Sequence, residues 1–197
     1  MLCLYHYFEK SFGPFMSLTA LPIEEAREIL TYQKSIGKFG NPDIEEFLLK
    51  RYKRDEQLCD MFIGRGGHIQ MKNPAYLFLG EHRQWESAYE NPAVIKIPLS
   101  ELDPLTVSFT YGDSFAVLNP DLFGAEEYWN KVYFMDEILD VVERHGFPPH
   151  VEYDFKLGIY PADKHINNHL KYVEAHIWNN EVLEQYRTKW LNDNPAV

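Results

Sequence analysis

The sequence predicts an α+β domain whose sheet is mixed or mostly antiparallel, with two N-terminal helices and two later helices packed on it. Apolar residues recur at helical spacing in the first third of the chain and again near its end. Short aromatic and β-branched runs cluster between these regions, so strands and helices do not alternate as a doubly wound parallel sheet requires. The 197 residues have the length of one globular domain, which we expect to span 1–197.

The first strand is expected almost at the N-terminus. Leu2 to Phe8 is a run of apolar and aromatic residues, typical of a strand that lies inside a sheet. Pro22 then opens a segment with acidic residues in its first turn and apolar residues at helical spacing, which predicts the first helix. Gly37 and Gly40 are expected to end it.

A second, longer helix is predicted from Asn41-Pro42-Asp43, with Asn41 as the N-cap and Pro42 as the first helical residue. Arg51 and Asp55 interrupt its apolar face, so this part of the helix either lies near solvent or pairs internally. The basic segment 50–54 is interpreted as a solvated helix face. The glycine-rich segment 64–67 lacks the Lys-Ser/Thr ending of a phosphate-binding loop and is interpreted as the end of the helix.

The rest of the chain predicts most of the sheet and two further helices. Five segments have the composition of strands: Ala75–Leu79, Ala93–Leu99, Thr106–Thr110, Val151–Tyr160 and Leu170–Trp178. A hairpin or meander is expected to join the first three. Helices are predicted from Phe134 to His145, where Gly146 follows as a stop, and from Glu181 to Trp190.

Composition limits the function classes. The formal net charge of −11 repels phosphate backbones, so general nucleic-acid binding is not expected. Cys3 and Cys59 are far apart in the sequence, each in an apolar setting, and are predicted to be buried free thiols. Neither a signal peptide nor a membrane span is expected, and a reduced cytoplasmic location is the simplest interpretation.

The best local candidate for a site is the turn Tyr111-Gly112-Asp113-Ser114, which follows a predicted strand. A second is Glu81-His82-Arg83, where an acid, a possible base and a cation lie at a strand end. We take His6, Tyr111, Asp113 and Glu81 as catalytic candidates, and His6, Arg83 and Ser114 as candidates for cofactor binding. Both segments also fit ordinary surface turns, and the sequence indicates no particular cofactor.

A metal site is a weaker hypothesis. His165 and His169 lie four residues apart, a spacing that places two imidazoles on one face of a helix. Asp163, Glu174 and His176 are residues of the right type to complete such a site. Asn167-Asn168 favours a loop, however, and the glutamate of the metalloprotease helix motif is replaced by Ile166. Metal binding is therefore not the expected function.

Several segments together resemble a family of short uncharacterised bacterial proteins: Leu4-Tyr5-His6, Gly13-Pro14-Phe15, Ser17-Leu18 and Ser100–Ser114. The resemblance covers most of the chain. It implies a bacterial, intracellular origin and brings no established activity with it.

Leu4-Tyr5-His6 is also similar to the first motif of NAD-dependent ADP-ribosyltransferases. In that family a histidine on an early strand hydrogen-bonds the adenosine-side ribose, and the resemblance implies this role for His6. The family usually has glycine and a small hydroxyl residue next, where this chain has Tyr7 and Phe8. For the family's catalytic glutamate, the candidates are Glu137, Glu152 and Glu174.

Two hypotheses follow from the sequence. One is a non-catalytic binding or interaction protein, with a protein or a small polar ligand as its partner. The other is a small enzyme that acts on a nucleotide or another polar metabolite. The enzyme hypothesis requires His6, Tyr111, Asp113 and either Arg83 or Glu81 to converge on one cleft.

Overall fold

The sheet is antiparallel and five-stranded in the computed structural model, which describes residues 1–119, 126–148 and 172–195. Its strands are β1 (Cys3–Glu9), β2 (Ala75–Leu79), β3 (Pro92–Pro98), β4 (Val107–Tyr111) and β5 (Val173–Ile177). They lie side by side in the order β3-β1-β2-β5-β4. The predicted α+β class is therefore confirmed, whereas the predicted strand 151–160 lies outside the described residues.

The α-helices of the described residues are α1 (Ile23–Ser35), α2 (Ile44–Gly64), α3 (Ser114–Val117), α4 (Met135–His145) and α5 (Asn180–Asp193). The sequence predicts the four longer helices and misses α3. None of the helices in these ranges has the length and apolar character needed to cross a membrane.

The predicted N-cap of α2 was wrong by two residues. Asp43 caps the helix, because its carboxylate accepts a hydrogen bond of 2.9 Å from the backbone N–H of Glu46. Asn41 instead accepts from the backbone N–H of Asp43 and shapes the turn before the helix. Pro42 therefore precedes α2 rather than starting it.

The N-terminal strand lies inside the sheet, as predicted, but the expected hairpin or meander of the next three strands was wrong. β1 lies between β2 and β3, so that Leu4 is opposite Leu79 on one side and Ile97 on the other. All three of these side chains are fully buried. The apolar character of β1 favours this inner position, where both of its edges are hydrogen-bonded.

The two faces of the sheet differ in polarity. One face carries apolar side chains such as Leu4, Leu77 and Phe109, and α5 packs on it through Trp190, whose ring lies 5.2 Å from that of Phe8. The opposite face carries Ser108, Thr110, Glu174 and His176, together with Tyr76 and Phe78. Because α2 covers part of this polar face, the polar side chains of the face are buried and need hydrogen-bond partners inside the protein.

Candidate functional site

A cavity of about 680 Å³ lies between the sheet and helices α1 and α2, and its lining includes Tyr76 and Glu174 from the polar face as well as His6 and Phe8, which point to the other face. Its size is typical of a site for a small molecule. Aromatic side chains form much of its wall: Phe8, Phe12, Phe15, Phe39, Phe47, Tyr76, Phe78, Trp85, Tyr89, Phe115 and Tyr172. The residues come from β1, β2, β5, both helices and the turn after β4, so the fold brings distant parts of the chain together here.

Arg51 is the principal cation of the cavity. Its guanidinium carbon lies 3.7 Å from the ring centre of Tyr76 and 5.4 Å from that of Phe115. The column of rings continues to Phe47, which is stacked on Phe115 at 5.9 Å, and to Phe39 at a further 4.9 Å. No residue in the described part of the chain forms a hydrogen bond or an ion pair with the Arg51 guanidinium. The aromatic rings thus fix the group while its N–H donors stay available.

The charge of Arg51 is maintained by its surroundings. Burial opposes the charge, but the carboxylates nearby, Asp55, Glu174 and Asp113, favour it, and the pKa of Arg51 is raised. Burial is also the main reason why the pKa of Tyr76 lies well above its ordinary value. Tyr76 therefore keeps its proton and donates it in a hydrogen bond to Asp55.

Asp55 anchors α2 to the sheet. Its side chain is 2% exposed and accepts hydrogen bonds from the hydroxyl groups of Tyr76 and Thr19. One carboxylate thus connects the helix to β2 and to the segment before α1. Of the two possibilities raised by the sequence, internal pairing is correct for Asp55.

A chain of hydrogen bonds holds Glu174 on β5. The indole N–H of Trp178 donates to Ser108 Oγ at 2.9 Å, and Ser108 Oγ lies 3.2 Å from His176 Nδ1. His176 Nε2 lies 3.3 Å from Glu174 Oε2, which also accepts from the backbone N–H of Ser114 at 2.9 Å. In a neutral imidazole this arrangement places the proton on Nε2, where it is donated to the carboxylate.

Glu174 is consequently an ionised carboxylate at the cavity wall. Burial would raise its pKa, but His176, Arg51 and the N–H of Ser114 outweigh burial and lower it. Ser108 and His176 are fully enclosed, so this serine, histidine and glutamate orient the carboxylate and do not expose a nucleophilic hydroxyl group. Glu174 Oε1 has no hydrogen-bond partner among the described residues and is the oxygen left for a ligand.

His6 lines the cavity, but both of its ring nitrogens already have partners. Nδ1 lies 3.1 Å from the backbone carbonyl of Tyr76, and Nε2 accepts from the backbone N–H of Phe15 at 2.9 Å. Burial lowers the pKa of His6 to about 4. The ring is therefore neutral and connects β1 to β2 and to the loop after β1.

The turn after β4 is formed as predicted, with positive φ at Gly112. Asp113 lines the cavity and caps α3 by accepting from the N–H of Phe115 at 2.9 Å. Ser114 is buried beside Glu174, whereas Tyr111 donates its hydroxyl hydrogen to the carbonyl of Gly146 and does not line the cavity. Of these three candidates, Asp113 and the backbone of Ser114 belong to the site.

The other candidates are not in the cavity. Glu81 and Arg83 form an ion pair of 3.0 Å at the surface, with 76% of the Arg83 side chain exposed. Glu137 pairs with Arg65 at 2.5 Å. His165, His169 and Glu152 lie outside the described residues, and no group of three or more metal-ligating side chains occurs within them. The predicted convergence thus holds for His6 and Asp113 but not for Tyr111, Glu81 or Arg83.

Arg51 is the main residue of the cavity that the sequence analysis did not place there. It was expected on a solvated helix face, and Lys50 and Lys53 beside it are indeed exposed. Arg51 itself is turned towards the sheet, four residues before Asp55 on the same side of α2. The sequence did contain a signal for this position, because Arg51 and Asp55 interrupt the apolar face of the predicted helix four residues apart.

A second concavity, of about 750 Å³, lies along the outer side of α5. Its lining residues all belong to that helix, between Asn180 and Asp193. It therefore offers no groups from different elements that converge on one ligand.

Comparisons of this chain with protein-family models, with curated proteins and with solved structures gave no match. The arguments on function below accordingly depend on the chemistry of the cavity.

Proposed function

We propose that this protein binds a small, planar, polar molecule in the cavity between the sheet and helices α1 and α2. The observation that carries the proposal is the Arg51 guanidinium, which lies against the ring of Tyr76 and near that of Phe115 and has no hydrogen-bond partner among the described residues. A partly buried charge without a partner is costly in a folded protein, and a ligand that pairs with it offsets that cost.

The rest of the cavity supports the same function. Phe78 is stacked on Trp85 at 5.0 Å, and Tyr172 meets Phe78 edge-on at 4.8 Å, so further planar rings line the wall. A few polar groups set among aromatic walls are typical of small-molecule sites. This arrangement favours the small-ligand form of the binding hypothesis over a protein partner.

Thermal unfolding of the purified protein with a panel of nucleotides and polar metabolites tests the proposal. At a ligand concentration about 100 times Kd, binding stabilises the folded state by about 2.7 kcal/mol and raises the melting temperature. Arg51→Met should remove that rise. Lys50→Met is the matched control, because Lys50 is the preceding residue of the same helix and its side chain is 63% exposed.

Circular dichroism establishes whether both variants fold before their ligand responses are compared. A rise that survives in folded Arg51→Met would place the ligand elsewhere and contradict the proposal. Failure of the entire panel to raise the melting temperature would also count against a small-molecule site and favour the search for a protein partner.

A second candidate is an enzyme that transfers ADP-ribose from NAD. It is favoured by one observation: Glu174, one of the three glutamates left open by the family resemblance, lines the same cavity as His6 and Tyr76. Glu137 instead pairs with Arg65. Since both ring nitrogens of His6 are engaged, this enzyme would have to exchange one of those hydrogen bonds for a bond to ribose.

Release of nicotinamide from NAD by the purified protein tests this second candidate. We expect Glu174→Gln to lower the rate by roughly 10²- to 10⁴-fold, the range for loss of a general acid or base. Glu137→Gln is the control and should retain the wild-type rate. Equal rates in the two variants, or no release above a protein-free blank, would remove the enzyme from consideration.

A further inference from the structure

We infer that the ligand of this cavity is an aromatic zwitterion, with a carboxylate that binds Arg51 and an ammonium group that binds Glu174. The inference rests on the proposed ligand-binding function and adds the chemical class of the ligand. It follows from three features of the cavity, namely an available cation, an available carboxylate oxygen and aromatic walls.

The carboxylate end is defined by Arg51. The ring centres of Tyr76 and Phe115 lie 3.7 Å and 5.4 Å from the guanidinium carbon, and its N–H groups have no partner among the described residues. The N–H edge of a guanidinium presents parallel donors that match the two oxygens of a carboxylate. Because the rings already hold the group in place, little side-chain entropy is lost when the ligand binds.

The ammonium end is defined by Glu174. His176 and the N–H of Ser114 both bind Oε2, which fixes the carboxylate and leaves Oε1 without a partner among the described residues. Glu9 adds a second acidic group to the wall, and its Oε1 is buried with no hydrogen-bond partner. An ammonium group offers three hydrogen-bond donors, which suits carboxylate oxygens that accept no hydrogen bond from the protein.

The total charge of the lining residues argues against a highly anionic ligand. The lining residues with a formal charge at neutral pH are Arg51, Lys38, Glu9, Asp113 and Glu174, and His6 is neutral. Two cations and three carboxylates leave one net negative charge, and the whole chain carries −11. A polyphosphate would be repelled, whereas a zwitterion pairs both kinds of charge without adding net charge.

Calorimetric titration with phenylalanine, tyrosine and tryptophan, each an aromatic zwitterion, tests this inference. Two further probes each lack one charge of phenylalanine: 3-phenylpropanoate lacks the ammonium group, and phenethylamine lacks the carboxylate. We expect at least one of the three amino acids to bind, and its affinity to exceed that of its single-charge analogues by about 10- to 100-fold.

Two variants assign each charge to its residue. In Arg51→Met the amino acid should lose its advantage over the amine analogue, because the carboxylate has no partner. In Glu174→Gln it should lose its advantage over the acid analogue, because the ammonium group faces a neutral amide. Lys50→Met, the exposed neighbour on α2, should keep the wild-type order of affinities.

The outcomes separate this inference from the proposed function. If another member of the metabolite panel binds in an Arg51-dependent manner and the amino acids do not, the zwitterion is wrong and the ligand-binding function stands. Single-charge analogues that bind as tightly as the amino acid would also overturn the inference that the ligand is a zwitterion. If neither the panel nor the amino acids bind, both the inference and the proposed function fail.

Discussion

Replacing Asp55 by alanine is expected to lower the free energy of unfolding by about 3–5 kcal/mol, the range for breaking a buried charge network by removing one partner. The change leaves the hydroxyl groups of Tyr76 and Thr19 buried without their acceptor. It also removes a negative charge that stabilises Arg51. Urea unfolding followed by circular dichroism at neutral pH measures the effect.

Asp60→Ala is the matched control, because Asp60 is on the same helix but exposed to solvent. We expect it to change the free energy of unfolding by no more than about 0.5 kcal/mol. Tyr76→Phe removes one of the two donors and should cost about 1–3 kcal/mol. Asp55→Ala and Asp60→Ala of equal stability would show that the Asp55 carboxylate is not held by these hydrogen bonds.

Local sequence signals predicted the elements of this fold better than their arrangement. Pro22 directly precedes the first residue of α1, and Gly146 directly follows the last residue of α4. Both signals are accurate because proline and glycine act on the backbone at their own positions. The sequence did not predict which strands are neighbours in the sheet. β1 inserts between β2 and β3 through contacts between residues more than 70 positions apart, which no local pattern specifies.

The candidate site was predicted only in part for the same reason. The turn at Gly112 and Asp113 has a local signature and was found. The hydrogen bond between Ser108 and His176 joins residues 68 positions apart, because β4 and β5 become neighbours only in the folded sheet. A serine, a histidine and a glutamate at such spacings are visible in the sequence, but their association is not.

Arg51 illustrates a further limit. Lysine and arginine residues in one run predict solvent exposure, which is correct for Lys50 and Lys53. Arg51 differs because its helical position faces Tyr76, where a planar guanidinium can stack on an aromatic ring. The functional interpretation of this cation therefore depends on which aromatic residue the sheet places beneath it.

Lowering the pH from 7 to 5 is expected to cost the folded state about 2 kcal/mol through His6 alone. Burial holds the pKa of this ring at about 4, below its ordinary value of 6.5. Between these two values the unfolded chain binds a proton at His6 that the folded protein does not accept. Stability is therefore retained above pH 6.5 and is lost as the pH falls towards 4.

The geometry explains why the folded protein resists this proton. The ring must take it on Nε2, which already accepts the backbone N–H of Phe15 at 2.9 Å. Protonation would place two hydrogens between the same two nitrogens and break the connection between β1 and the loop that follows it. This contribution to the acid sensitivity thus comes from one buried ring.

His6→Gln isolates the effect, because glutamine keeps one donor and one acceptor but does not titrate. Urea unfolding at pH 7, 6 and 5 should give a shallower loss of stability in this variant, by about 2 kcal/mol over the interval, even if its stability at pH 7 is lower. His68→Gln is the control, since it makes the same replacement at an exposed histidine outside the cavity. Parallel slopes for wild type and His6→Gln would mean that His6 is protonated in the folded protein as readily as in the unfolded chain, and its role as a neutral connector in the cavity wall would have to be abandoned.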